Sequence, residues 1–168
     1  MSLFKLGKLI GIAEEWVDLI EFVPGEWLKE RGSARGTFAE YYLSENPEDM
    51  KLGIFLDESL LAQEKMITLA HELGHAKNFI VDFKRDGEHW KFLESSPSAS
   101  VLLERYAWLY AVDFLRMVDF EDWDRFMKTV DFSLKTYNGN QCNVQTEKEF
   151  WKQLKDRIGG AFNYVNST

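Results

Sequence analysis

"ITLAHELGHAKN" (residues 67–78) sets His71 and His75 four residues apart, with Glu72 directly after the first histidine. On a helix, residues at that spacing project from one face, so two imidazoles can reach one metal ion, as a tetrahedral zinc site requires. Glu72 is rotated off the ligand line and can act on a water as general base without competing for the ion. The same stretch predicts the helix itself, because Met66, Leu69, Ala70, Leu73 and Ala76 form an apolar stripe that must be buried. Gly74, between the two histidines, lowers helix propensity by about 1 kcal/mol against alanine, which points to something packed close to the helix there. An amphipathic helix with two chance histidines is the plainer alternative. Against it, the chain has 3 histidines in all and two of them fall in this pattern.

Upstream, Asp57, Glu58 and Ser59 offer N-cap and first-turn acids for a helix starting near Leu60. Before them, GTFAEYYL from Gly36 and MKLGIFL from Met50, divided by the turn-rich SENPED, read as a β-hairpin. The strand KLGIFL either offers a free edge to an extended peptide or is paired on both sides. Leu3, Leu6, Ile10, Ala13, Val17 and Ile20 predict an amphipathic first helix, broken by VPGE at 23–26. Downstream, residues 82–97 are polar and without clear period, which predicts a loop with at most a short helical turn. A second strong helix is expected from about Ser98 to Asp119. DFEDWD at 119–124 reads as a helix start whose acids suit the dipole, and Trp123, Phe126, Met127, Val130, Leu134 and Tyr137 continue that helix to NGN at 138–140. Thr146 with Glu149 is a capping-box pattern opening a last helix through Phe150, Leu154 and Ile158 to Gly159 and Gly160.

The expected fold is a single α+β domain over residues 1–168, mostly helical, with a small antiparallel sheet packed on the HExxH helix. A chain of 168 residues with 45% hydrophobic content can bury one genuine core. Aromatic residues make up 15% of it, most of them at core spacing, with some surplus for a partner surface. The net charge of −8 argues against wrapping nucleic acid. Cys142 is the single cysteine, which excludes an intramolecular disulfide and a thiolate zinc cluster and fits a reducing compartment. Glu14 and Glu15 interrupt the apolar start too early for a signal peptide or a spanning helix, so a cytoplasmic protein with no membrane partner is expected. Without a secretory signal the NST at Asn166 carries no weight.

Two imidazoles do not hold a catalytic zinc; a third protein ligand must complete the site and leave a position for water. The extended motif with a third histidine is excluded, because Asn78 and Val81 stand where it needs glycine and histidine. Glu94 and His89 lie in the irregular stretch and stay open as ligands. Glu104 ranks above them: it shares a helical face with Val101, Ala107, Trp108, Ala111 and Leu115 and is the only charge on that stripe. A carboxylate buried among apolar neighbours calls for a partner or a metal. His89, Tyr106, Tyr110 and Tyr137 are the candidates for a transition-state donor, and spacing does not choose among them.

The chain resembles the ImmA/IrrE metallopeptidases of bacteria, their phages and mobile elements. The resemblance rests on a strand pair, then ITLAHELGH, then a helix reading E-x-x-A-x-x-aromatic-A, here ERYAWLYA with Glu104, Ala107, Tyr110 and Ala111 matching. It covers about residues 36–115 and leaves the first helix and the helical C-terminal part, 120–162, unaccounted for. It departs where AKNF follows His75 and where Trp108 replaces a usual small polar residue. The resemblance implies zinc ligands His71, His75 and Glu104 and Glu72 as general base; between Zn2+ and Mn2+ the sequence does not choose. It further implies a gluzincin-like endopeptidase acting on a protein substrate, a helix-turn-helix DNA-binding repressor in known relatives. A module that keeps the metal but acts only by binding a transcription factor or toxin is the competing expectation.

Overall fold

The computed structural model describes residues 2–137 and 144–159. The breakers Asn138, Gly139, Asn140 and Gly160, together with Cys142 and Asn166, lie outside the described residues. The chain forms α1 (Ser2–Ala13), β1 (Leu19–Val23), α2 (Gly25–Lys29), β2 (Gly36–Tyr42), β3 (Met50–Asp57), α3 (Ala62–Lys77), α4 (Gly87–Ser95), α5 (Pro97–Met117), α6 (Trp123–Tyr137) and α7 (Val144–Ile158). The result is the expected mostly helical α+β fold. Among the described residues no helix is long and apolar enough to cross a membrane.

The sheet is mixed rather than antiparallel. β2 and β3 pair antiparallel as the hairpin predicted, but β1 adds on the other side of β3 in parallel register, Leu19 opposite Gly53 and Val23 opposite Asp57. The first helix therefore stops at Ala13 instead of running on to Ile20. Val17 and Ile20 keep helical spacing by coincidence: Asp18 is already bonded to β3, its backbone N–H donating to Leu52 O at 2.8 Å and its carboxylate accepting from Leu52 N at 2.9 Å. The order β1-β3-β2 makes β3 the interior strand, so KLGIFL has no free edge. β2 is the edge strand beside the helices.

α3 is the central element, with the sheet on one side and α1 and α5 on the others. Its apolar stripe is buried as predicted, and Leu52, Ile54 and Leu56 of β3 join the same core. Its start differs from expectation. Asp57 accepts from Ser59 N and Oγ, ahead of the helix, and Glu64 accepts from Leu61 N at the cap. The chain continues from α3 through a π-helical turn, Asn78–Asp82, of the kind that often marks functional sites in helices. Residues 87–95 are helical, not loop. Asp86 caps α4 by accepting from His89 N at 3.0 Å, and Trp90 alone buries its side chain in the core. α5 and α6 fall close to their predicted spans, and α7 starts two residues before Thr146.

Candidate metal centre

α3 presents His71 and Glu72 buried, with His75 one turn further along the same face. α5 crosses it in backbone contact. A Cβ built on Gly74 would stand 2.2 Å from the carbonyl oxygen of Ala107, so only glycine lets the two helices come this close. That close approach is the packing partner the glycine predicted. It also carries Glu104, one turn before Ala107, to the histidines.

Glu104 is 9% exposed and points inward with the rest of its stripe. His71 Nε2 stands 3.2 Å from Glu104 Oε2, and His75 Nε2 stands 3.1 Å from Glu104 Oε1. The two Nε2 atoms are 3.2 Å from each other. Ligand atoms bound about 2.0–2.2 Å from one tetrahedral ion stand roughly 3.3–3.5 Å apart, so the three side chains fit a metal with little adjustment. His71, His75 and Glu104 are also the one His/Cys/Asp/Glu group of this kind among the described residues. The structure thus holds a buried triad able to bind a metal ion.

The electrostatics agree with a site built for positive charge. Burial opposes ionisation of Glu104, but the adjacent His75 and His71 outweigh it and hold the carboxyl well below the usual carboxylate range. Burial alone would depress His75; the Glu104 carboxylate beside it pushes it up to about 9. Glu72 is pushed up by burial against the opposing pull of His71 and His75. Neither Nδ1 of the two histidines finds a hydrogen-bond partner among the described residues.

Glu72 is fixed from the sheet side. Its Oε2 accepts the backbone N–H of Phe38 in β2 at 2.8 Å, an N–H on the free edge of the strand. The triad and Glu72 line a cleft of about 800 Å³. One wall is the run from Arg31 to Phe38 entering β2, and another is α6 with Arg125, Thr129, Phe132 and Tyr137; Trp90 and Glu94 of α4 complete it.

Among the weighed residues, Glu94 reaches the cleft but is engaged by Trp90 Nε1 at 2.9 Å. His89, Tyr106 and Tyr110 do not line the cleft. His89 packs edge-on against Phe83, Tyr106 is half exposed, and Tyr110 donates to Asp82 Oδ2 at 2.8 Å. Burial and that bond raise Tyr110 to about 12. Tyr137 is the donor candidate that lines the cleft, and burial followed by the nearby Glu104 carboxylate raises its pKa. Sequence reasoning did not foresee Phe38, whose contribution is a backbone N–H. Trp108 entered the sequence reading only as a member of the Glu104 stripe and as a departure from the family pattern. Comparison with protein-family models, curated proteins and solved structures finds no match for this chain.

Proposed function

We propose that this protein is a zinc-dependent endopeptidase that hydrolyses a peptide bond in a protein regulator, such as a helix-turn-helix repressor of a bacterial, phage or mobile-element system. The observation that carries the reading is the meeting of His71, His75 and Glu104, from two separate helices, within 3.2 Å beside Glu72 in an open cleft. The ImmA/IrrE resemblance supplies the regulator as target. A divalent ion held by the triad supplies Lewis acidity, polarising the scissile carbonyl and acidifying a water.

The chain's own residues do the rest. Phe38 N–H holds one oxygen of Glu72 and leaves the carboxylate's other oxygen to take a proton from the attacking water. Glu72 lies beside the triad, within reach of a water held there. Glu72 then returns the proton to the leaving amine. Tyr137, on the cleft wall, is the nearest of the weighed hydroxyl donors to the site. The edge of β2 beside Glu72 suits an extended peptide adding as a further strand.

The test is Glu72→Gln. The variant is expected to bind zinc like the parent while peptide cleavage falls by about 10²–10⁴-fold, the usual size of a general-base contribution. Equal cleavage by parent and variant, or a parent that holds no stoichiometric metal, overturns the reading.

A further inference from the structure

Helix α5 brings a second residue to the site one turn beyond Glu104. The indole of Trp108 lies almost face to face with the His71 imidazole, ring centroids 3.9 Å apart and planes inclined by 25°. On α6, Phe126 braces the same indole edge-on at 5.7 Å and 77°. Trp108 is 3% exposed, so most of the stack is buried at the floor of the cleft.

Two polar atoms at this stack are buried without a hydrogen-bond partner among the described residues, Nδ1 of His71 and Nε1 of Trp108. A histidine that binds metal through Nε2 is ordinarily oriented by a hydrogen bond from its Nδ1–H to a carboxylate or carbonyl. Among the described residues none gives His71 that restraint, and the ring could otherwise turn about its terminal side-chain torsion, which is broad. A buried indole whose N–H goes unpaired is not held there by its polar end; what it presents to the site is its flat face. His75 differs: its nearest indole, Trp90, meets it edge-on with centroids 6.2 Å apart.

We propose that Trp108 is a positioning residue of the metal centre, its indole face fixing the plane of the His71 ring in the role usually taken by a hydrogen bond to Nδ1. Nε2 of His71 is thereby aimed at His75 and Glu104 before an ion arrives. The inference rests on the reading of His71, His75 and Glu104 as a metal site.

The experiment combines NMR of the histidine rings with zinc titration against a competing chelator. With 3 histidines in the chain, the ring signals are separable by single substitution. In the metal-free parent the His71 ring protons are expected upfield of free imidazole, under the indole ring current, and Trp108→Leu removes that shift. Zinc affinity falls ten- to a hundredfold in Trp108→Leu, the range for losing a ligand-orienting partner. Trp108→Phe, which keeps a flat ring and lacks the N–H, recovers most of it. Melting of the metal-free variants separates a purely structural role, in which stability drops while zinc affinity stays. Unshifted His71 protons in the parent, a measurement that needs no variant, overturn the inference. So does a Trp108→Leu protein that binds zinc as tightly as the parent, and in both cases the metal site itself stands. A parent whose His71 never contacts zinc overturns both.

Discussion

Glu104 turns two packed imidazoles into a site, because its carboxylate faces both Nε2 atoms and neutralises charge that burial would otherwise forbid. One consequence is measurable in the metal-free protein. His75 is raised to about 9, so its protonated form is stabilised by folding. That contribution is complete below the ordinary histidine pKa of about 6.5 and is lost as pH rises through the folded value. Thermal melts of the metal-free protein are therefore expected to show falling stability between about pH 6.5 and 9. The zinc-loaded protein should lack the fall across that window, since the ion takes the proton's place. A flat profile for the metal-free protein contradicts the pairing of His75 with Glu104.

At the scale of elements, the site depends on how closely α3 and α5 approach. Exchanging an exposed helical glycine for alanine ordinarily stabilises by about 1 kcal/mol. At Gly74 the sign reverses, because the new methyl would sit 2.2 Å from the Ala107 carbonyl and the helices must part. Gly74→Ala is expected to cost about 1–3 kcal/mol in denaturant unfolding, the range for overpacking, and to weaken zinc binding by drawing Glu104 away from the histidines. Much of this was legible in the sequence. The stripe through Leu69, Leu73 and Ala76, the lone charge at Glu104 and the misplaced glycine each obey local periodicity. What escaped was not local. Leu19–Val23 becomes a strand only by pairing with β3 across some thirty residues, and Ile20 happens to satisfy helical spacing as well. α4 escaped because Trp90 is its single buried residue, too few to show a period. The Phe38 N–H that holds Glu72 belongs to the backbone and has no residue signature.

At the scale of the whole molecule, a triad split between helices on either side of α4 exists only in the folded chain. An ion that binds it therefore adds to folding stability by mass action, about 2.7 kcal/mol at a hundredfold excess over Kd. For a chain of this size that raises Tm by roughly 5–10 °C. Calorimetric melts with and without zinc check it, and His71→Ala should abolish the increment.

The contact between Gly74 and Ala107 has one more consequence. Where the backbones touch there is no gap for solvent between the two helices. Among the described residues the cleft beside β2 and α6 is the approach to the triad, and under the proposed function ion and peptide would share it. A peptide lodged there would stopper a bound metal, and escape to a chelator would slow in proportion to how often that approach is filled.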